Sequence, residues 1–151
     1  MNLPVIILGL GGDAKVLVNA LRIQRCNILG ATDPNPGGKS LPDIPWLGND
    51  DVVLQYSPDV IQLVNGLGST KATFHRKQLY KRFKELGYIF KNVIHPSIII
   101  AADTLIAEGV QIMAGSVIQP GCSIGVNTIV NTRVSIDHDC YIGAHVHLAP
   151  G

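Results

Sequence analysis

The sequence predicts a small α/β unit with a parallel sheet, followed by a parallel β-helix. Two observations lead to this prediction. Before residue 93, short apolar runs alternate with amphipathic stretches and end in glycine-rich turns. From residue 94 to residue 148, every sixth residue is a large aliphatic. Alternating strands and helices are typical of a parallel sheet, whereas a short fixed period indicates a stacked repeat.

The composition bounds the possible functions. A chain of 151 residues allows one domain or two small ones. Because 46% of the residues are hydrophobic, 15% are charged and the net charge is +1, we expect an ordinary soluble protein with no nucleic-acid partner. No Lys or Arg precedes the first apolar run, and glycines interrupt it, so we expect neither a signal peptide nor a membrane span.

The first unit opens with the features of a Rossmann-type half. An apolar run over residues 4–8 predicts a buried strand, and the glycine turn Gly9-Leu10-Gly11-Gly12-Asp13-Ala14 follows it. A helical stretch over 14–24 and a second strand over 27–32 lead to Asp33, where an acidic ribose ligand is expected. The glycine pattern fits G-x-G-x-x-G/A and indicates phosphate or ribose binding. Alternatively, the glycines only permit a tight turn.

The middle of this unit combines a loop with a third strand. Residues 34–51 predict a long loop with at most a short strand. We expect its tryptophan, Trp46, to pack beneath the loop, with stacking on a base as the alternative. A third strand over 60–64 ends in Asn65-Gly66-Leu67-Gly68-Ser69. A second glycine turn at the carboxyl end of a strand belongs on the ligand side of an open sheet.

A second helix and a fourth strand complete the first unit. The helix is expected over 70–86 and is ended by Gly87. Its Lys and Arg residues are expected to form a solvated face, and its inward side chains are predicted to be Phe74, Leu79, Phe83 and Leu86. Residues 88–93 predict the fourth strand.

The second unit is predicted from a period of six, which neither a helix nor a plain strand produces. Each hexapeptide gives one short strand and one turn, and three of them form a triangular coil of eighteen residues. The large aliphatics point inward, and smaller residues four positions later fit the corners. The aliphatics are Ile94, Ile100, Ile106, Ile112, Ile118, Ile124, Val130, Ile136, Ile142 and Leu148. The corner residues are Val110, Ser116, Cys122, Thr128, Val134, Cys140 and Val146.

These patterns divide the chain into domains at 1–92 and 93–151. The coils stop in mid-repeat at Pro150-Gly151 with no capping segment, and repeat arrays need a cap. We therefore expect a truncated β-helix, either a fragment or a chain that depends on a partner. Cys122 and Cys140 lie eighteen residues apart, so they are expected to stack in one corner as buried thiols in a reducing cytoplasm.

The candidate chemistry lies between Asn131 and Cys140. His138 comes two positions after an inward isoleucine, so it is expected on the outside of the coil, and Asp139 could orient or polarise its ring. A surface imidazole beside a carboxylate is a natural general base near neutral pH, although such pairs are often incidental. His147 lies half a coil further on, so His138 and His147 could cooperate only across a subunit interface.

A Rossmann-like half followed by hexapeptide coils resembles the sialic-acid O-acetyltransferase type of hexapeptide-repeat sugar acetyltransferases. This family includes bacterial enzymes that N-acetylate UDP-4-amino-sugars. The resemblance covers the whole chain and is most specific in the run from Asp137 to Gly151. The matching stretches are 9–15, 65–69, 93–97, 131–132 and 137–151.

The resemblance implies a left-handed β-helix, acetyl-CoA as co-substrate, and a homotrimer with active sites between the coils of neighbouring subunits. It implies that His138 is the general base, that Asp139 tunes it, that Asn131 supports the site, and that His147 hydrogen-bonds acetyl-CoA. No metal is expected. The residues that would hold the sugar nucleotide are Gly9, Gly11, Gly12, Asp13, Asp33, Gly68 and Ser69.

The chain departs from the family in two respects. Asp13 stands where the family usually has histidine. A carboxylate at a helix start suits the helix dipole, but it repels a diphosphate. The later coils that complete the trough for the pantetheine arm are missing, so the chain could bind sugar nucleotide yet acetylate poorly.

The expected function is acetyl transfer in the cytoplasm to an amine or hydroxyl of a nucleotide-linked or acidic sugar. Direct transfer is expected because no cysteine or serine is placed as a nucleophile. One alternative is a non-catalytic module that binds nucleotide sugar. A second alternative is a nicotinamide dehydrogenase, which the glycine pattern suggests but which would need a second nucleotide-binding half.

Overall fold

The computed structural model describes residues 2–68 and 73–151, which form two compact units, Met1–Lys91 and Asn92–Gly151. The first unit is an α/β layer structure, and the second is a coil of short parallel strands. No helix within the described ranges is long and apolar enough to cross a membrane.

The first unit is built on a parallel sheet of four strands in the order β3-β2-β1-β4. The central strand β1 is buried along its whole length, as expected for a continuous apolar run. Because β1 lies between β2 and β4, the carboxyl ends of β1 and β4 flank a topological switch point, where open sheets bind ligands. The elements are β1 (Val5–Leu8), α1 (Gly12–Ile23), β2 (Ile28–Thr32), β3 (Trp46–Gly48), a 3₁₀ helix (Asp50–Gln55), β4 (Gln62–Asn65) and α2 (Thr73–Glu85).

Two glycines are required where β1 and β4 end. Gly9 has a φ of +110°, which is unfavourable for residues with a side chain. A Cβ on Gly66 would lie 2.8 Å from the carbonyl oxygen of Leu8, and the Gly66 N–H donates to that oxygen at 2.8 Å. The two glycine turns are therefore held side by side at the carboxyl edge of the sheet.

Helix α2 differs from its predicted orientation. Its end at Gly87 is confirmed, since Gly87 has a φ of +91°. Phe83 is buried as predicted, but Phe74 and Leu86 are exposed, and their predicted inward positions are wrong. The buried side chains of α2 are Arg76, Tyr80 and Phe83. The buried side chains thus recur at helical spacing, and one of them is charged. The prediction that the Lys and Arg residues of α2 face solvent is therefore wrong for Arg76.

Trp46 is 54% exposed, so the prediction that it packs beneath the loop is wrong. It is the first residue of β3, the edge strand of the sheet. Its indole Nε1 donates to the carbonyl oxygen of Asp33 at 3.1 Å. This bond holds one edge of the ring while much of the ring surface stays open to solvent.

The second unit consists of short strands stacked in three parallel sheets. The sheets are β5-β8-β11-β14, β6-β9-β12 and β7-β10-β13. Paired residues lie eighteen positions apart, as in Ile106, Ile124 and Ile142. The strands are β5 (Val93–Ile94), β6 (Ile99–Ile100), β7 (Leu105–Ile106), β8 (Gln111–Ile112), β9 (Val117–Ile118), β10 (Ser123–Ile124), β11 (Ile129–Val130), β12 (Ser135–Ile136), β13 (Tyr141–Ile142) and β14 (His147–Leu148).

The predicted interior of the coil is confirmed. All ten aliphatics at the period of six belong to one hydrophobic cluster. Corner side chains add hydrogen bonds between coils: Ser116, Cys122 and Thr128 each donate to a carbonyl fifteen residues later, at 2.9, 3.0 and 2.7 Å. A small side chain with a donor therefore both fits the corner and ties it to the next coil.

A second period of six runs through the turns. From residue 109 to residue 145, every sixth residue has a positive φ, between +58° and +82°. Glycine occupies the first three of these positions, and Asn127, Arg133, Asp139 and His145 occupy the rest. Asparagine and aspartate tolerate this conformation better than most side chains. The repeat therefore fixes the backbone at Asp139, directly beside His138.

Replacing Ile112 with alanine should lower the free energy of unfolding of the coil by about 2–5 kcal/mol. Ile112 is fully buried and pairs in register with Ile94 and Val130, so the truncation leaves a cavity between the coils on either side. Urea denaturation measures the loss. Leu105→Ala is the control, because Leu105 is 70% exposed and its loss should stay within about 0.5 kcal/mol. Equal losses would show that the inward register does not stabilise the coil.

Candidate active site

His138 and Asp139 form a hydrogen-bonded pair on an exposed corner of the coil. The imidazole Nδ1 lies 2.8 Å from Asp139 Oδ2, and the side chains are 70% and 79% exposed. Because a carboxylate only accepts, the neutral ring carries its proton on Nδ1 and keeps a lone pair on Nε2. The backbone N–H of His138 donates to Asp137 Oδ1 at 2.7 Å, which fixes the turn that presents the ring.

The carboxylates around His138 make it a stronger base. The hydrogen bond to Asp139 raises the pKa of His138, and the negative charges of Asp137 and Asp139 raise that pKa further. Slight desolvation acts in the opposite direction. A raised pKa increases the proton affinity of Nε2, while the ring becomes neutral at a higher pH than an ordinary histidine.

Asn131, directly after β11, and His147, in β14, form a second pair, and the two strands are neighbours in one sheet. Asn131 Nδ2 lies 3.1 Å from His147 Nε2. The N–H of Thr132 donates to Asn131 Oδ1 at 2.7 Å, which orients the amide so that its NH₂ group faces the histidine. Since Nε2 accepts, the neutral ring of His147 carries its proton on Nδ1, where it can donate to a ligand.

The two pairs lie on different faces of the coil. His138 follows β12, in the sheet β6-β9-β12, whereas His147 begins β14, in the sheet β5-β8-β11-β14. All four residues were predicted from the sequence, but the contact between Asn131 and His147 within one chain was not. The available signal was their separation of sixteen residues, which is two short of a full coil.

The first unit contains a pocket of about 1000 Å³ at the carboxyl edge of its sheet. This volume suits a small-molecule ligand. One wall follows the ends of the strands, and the other is a face of α2. The lining residues are Gly9, Pro34, Asp50, Leu67, Gly68, His75, Gln78, Leu79, Lys81, Arg82 and Glu85.

Of the residues predicted to bind nucleotide, Gly9 and Gly68 line this pocket, whereas Gly11, Gly12, Asp13 and Asp33 are not among its lining residues. Ser69 lies outside the described residues. A Cβ on Gly11 or Gly12 would meet nothing within 4 Å, so packing within the chain does not explain these glycines. Gly11 is also the N-cap of α1 and provides no side-chain hydrogen bond to the first turn, whose amides have no partner within the helix.

The carboxylate of Asp33 joins the first glycine turn to the loop after β2. It accepts from the N–H groups of Leu10 at 3.2 Å and Asn35 at 2.8 Å, and from Lys39 Nζ at 3.0 Å. Burial acts to raise the pKa of Asp33, but the hydrogen bonds from Asn35, Lys39 and Leu10 outweigh it, so the pKa lies below its ordinary value. The group is therefore an ionised clamp on the turn, and contact with a ribose stays a prediction.

Arg76 clamps the second glycine turn from inside α2. It is 1% exposed, and its Nη1 donates to the carbonyl oxygens of Asn65 and Leu67, both at 2.9 Å. Burial lowers the pKa of Arg76 to about 10, and the charge of Asp13 opposes this shift. The Asp13 carboxylate packs against Gly68, where a Cβ would collide with Asp13 Oδ2. Asp13 therefore supplies negative charge to a buried arginine.

The pocket wall formed by α2 was not predicted from the sequence. The Lys and Arg residues of α2 were expected only to face solvent, although the lining residues recur at helical spacing along one side of the helix. A polar helix face directly after a glycine turn is the signal that could have found them. The residues that share this face are His75, Gln78, Leu79, Arg82 and Glu85.

No metal site is apparent in the part of the chain that the structure describes. Across residues 2–68 and 73–151, no group of three or more His, Cys, Asp or Glu residues is placed to hold an ion.

Replacing Arg76 with methionine should lower the free energy of unfolding of the first unit by about 3 kcal/mol. The change removes the donor to two carbonyl oxygens and the positive charge that Asp13 faces. Urea denaturation measures the loss. Lys77→Met is the matched control, because Lys77 is the exposed neighbour on the same helix and should change stability by no more than about 0.5 kcal/mol. Similar values for both variants would contradict a clamping role for Arg76.

No protein-family model matches the chain, but several solved structures do. One is a variant of GDP-perosamine N-acetyl transferase from Caulobacter crescentus in complex with CoA and GDP-perosamine. It is 30% identical, with a TM-score of 0.89, over 97% of this chain and 69% of its own. The acetyltransferase domain of PglB from Neisseria gonorrhoeae, in complex with acetyl coenzyme A, is 27% identical over 100% of this chain and 72% of its own, with a TM-score of 0.91.

A third structure, WeeI from Acinetobacter baumannii, is 19% identical over 99% of this chain and 71% of its own; with a TM-score of 0.85 it shares the fold. These similarities confirm the predicted fold class, a Rossmann-like α/β half followed by a left-handed parallel β-helix. They also agree with the resemblance in sequence. The chain belongs to the hexapeptide-repeat sugar acetyltransferase family.

Proposed function

We propose that the chain transfers an acetyl group from acetyl-CoA to an amine or hydroxyl of a nucleotide-linked sugar, with His138 as the general base. The observation that carries this proposal is the His138–Asp139 pair, in which the carboxylate holds Nδ1 and leaves the basic Nε2 toward solvent. A relative at 30% identity binds CoA and GDP-perosamine, and the PglB domain binds acetyl coenzyme A, which supports the two substrate classes.

The reaction follows from the hydrogen bonds around His138. Nε2 accepts a proton from the sugar amine or hydroxyl as that group attacks the thioester carbonyl carbon. The new C–N or C–O bond forms, the C–S bond breaks, and the departing thiolate takes up the proton. Direct transfer is favoured because Cys122 is buried and its thiol donates to a backbone carbonyl at 3.0 Å, a position unsuited to a nucleophile. Cys140, two residues from His138, is half-buried and packs against the hydrophobic cluster of the coil.

His147 is proposed to bind the thioester end of acetyl-CoA. With Nε2 held by Asn131, its Nδ1–H can donate to the thioester and stabilise charge that develops on the carbonyl oxygen. Because His138 and His147 lie on different faces of one coil, a site that uses both needs two copies of the chain. We propose that the copies form a homotrimer, as the family resemblance implies, with a site at each contact between coils.

The nucleotide of the sugar substrate is proposed to bind in the pocket of the first unit. The pocket lies at the switch point of the sheet, where Gly9 and Gly68 follow β1 and β4. Lys81 and Arg82, which also pairs with Asp51, offer positive charge to phosphate, and the imidazole of His75 and the amides at the start of α1 offer hydrogen-bond partners nearby. The relatives give no support to the nicotinamide dehydrogenase alternative.

The location is proposed to be the cytoplasm. All three cysteines are free thiols, which suits a reducing compartment.

Replacing His138 with alanine in the full-length protein should reduce turnover by about 10²- to 10⁴-fold, because the general base is lost. Release of CoA thiol measures the rate, and calorimetry should show unchanged affinity for acetyl-CoA. His145→Gln is the control, since His145 stands one turn further along the coil and contacts Asn127. Wild-type turnover in His138→Ala would refute the assignment of the base. Binding of nucleotide sugar without any binding of acetyl-CoA would favour a non-catalytic module.

Replacing Lys81 with glutamine should weaken binding of a nucleoside diphosphate by roughly threefold to tenfold, because a charged donor is removed from the pocket. Calorimetric titration with UDP and with GDP measures the affinity and shows which base is preferred. Lys77→Gln is the matched control, because Lys77 lies on the same helix and is not a lining residue. Equal affinities in wild type and Lys81→Gln at low salt would place the phosphates elsewhere.

A further inference from the structure

The turn that carries His138 rests on the turn of the preceding coil. The N–H of Asp139 donates to the carbonyl oxygen of Pro120 at 2.9 Å. The thiol of Cys122 donates to the carbonyl oxygen of Asp137 at 3.0 Å. The backbone on both sides of His138 is therefore held by the turn 120–122, which stands one coil, or eighteen residues, earlier.

Gly121 lies at the centre of this supporting turn, directly beneath Asp139. Its φ is +82°, and a Cβ at this position would collide with Asp139 Oδ1 and come within 3.2 Å of its Cγ. The Asp139 carboxylate thus lies across the space that a side chain at 121 would fill. From there its other oxygen, Oδ2, reaches His138 Nδ1.

A third coil holds Gly121 in place. The N–H of Gly121 donates to both carboxylate oxygens of Asp103, at 3.1 and 3.0 Å. Asp103, Gly121 and Asp139 therefore form a column at intervals of eighteen residues. The charged groups that act on His138 are Asp137 and Asp139, on its own turn. Asp103 contacts Gly121 and lies two coils before Asp139.

We infer that Gly121 is a positioning residue for His138: its lack of a side chain lets the Asp139 carboxylate lie flat on the coil below and hold the imidazole through Nδ1. This inference rests on the proposed function, because it matters for catalysis only if His138 is the base. Any side chain at 121 must displace Asp139 and weaken the Nδ1 hydrogen bond that makes Nε2 basic.

A neighbouring turn provides a matched control. Gly115 occupies the equivalent position one hexapeptide earlier and has a similar φ of +75°. A Cβ there would meet Arg133 Cγ at 3.1 Å, which is a milder contact than the collision with Asp139 and involves no carboxylate. Gly115→Ala therefore imposes the same backbone strain as Gly121→Ala without touching Asp139.

The test is an NMR titration of the His138 ring in the full chain, with Asp139→Asn as the reference for a lost carboxylate. In Gly121→Ala the pKa of His138 should fall toward that of Asp139→Asn, while Gly115→Ala should leave it at the wild-type value. Both glycine variants should lose similar thermal stability. In the Asp139→Asn background, Gly121→Ala should add no further change, because the two substitutions act through one contact.

Gly121→Asn gives a second variant if alanine prevents folding. Asn127 already occupies an equivalent turn position with a φ of +58°, so asparagine suits this backbone while its Cβ still meets Asp139. A folded Gly121→Asn or Gly121→Ala protein with an unchanged His138 pKa would overturn the inference. A shift of the same size in Gly115→Ala would also overturn it, since backbone strain alone would then explain the effect.

The titration separates this inference from the proposed function, because it reads proton binding and needs no turnover. Full activity in His138→Ala would show that His138 is not the general base. The titration would still test whether Gly121 positions Asp139. If both proposals hold, the acid limb of the rate profile should move to lower pH in Gly121→Ala, because a less basic His138 becomes neutral at lower pH. If the pKa of His138 falls in the titration but the acid limb of the rate profile does not move, His138 is not the general base.

Discussion

The structure of the second unit depends on one constraint: each face of the coil has room for one large side chain per layer. The aliphatics at the period of six fill this space, and parallel strand pairing aligns residues eighteen apart, as in Ile112 and Val130. A slip of one residue would turn every inward side chain to the outside. Hydrophobic burial therefore sets the rotation of every turn, including the turn that carries His138.

The same register assembles polar groups. Residues eighteen apart stack, which places Asn127 Nδ2 2.9 Å from His145 Nδ1 and brings Gly121 beneath Asp139. Residues sixteen apart meet across one sheet, as Asn131 and His147 do. The coil thus converts separation in sequence into contact without long loops. The tautomers of both histidines of the candidate site follow from their neighbours. Nδ1 of His138 faces an acceptor, Asp139, and Nε2 of His147 faces a donor, Asn131.

The sequence predicts most of the fold but less of the site. The ten aliphatics, the corner residues and the first glycine turn each carry a periodic or local signal, and the structure agrees with them. Arg76 carries no such signal, because its partners are carbonyl oxygens of residues 65 and 67 that approach only after β4 and α2 pack together. Trp46 was misjudged for a related reason: its exposure depends on β3 being the edge strand, which composition does not reveal.

The glycine motif shows why a pattern needs the structure to be interpreted. Gly9 is required by its own backbone, whereas Gly11 and Gly12 have open space where a side chain would stand, so the structural interpretation explains only the first glycine of the motif, and ligand binding at the other two stays a prediction. Asp13 also needs the structure to be interpreted. The family resemblance leads one to expect histidine there, but in this chain a cation at 13 would face the buried Arg76. The carboxylate instead offsets that charge, so the departure from the family pattern is matched to Arg76 and is compatible with an anionic ligand in the neighbouring pocket.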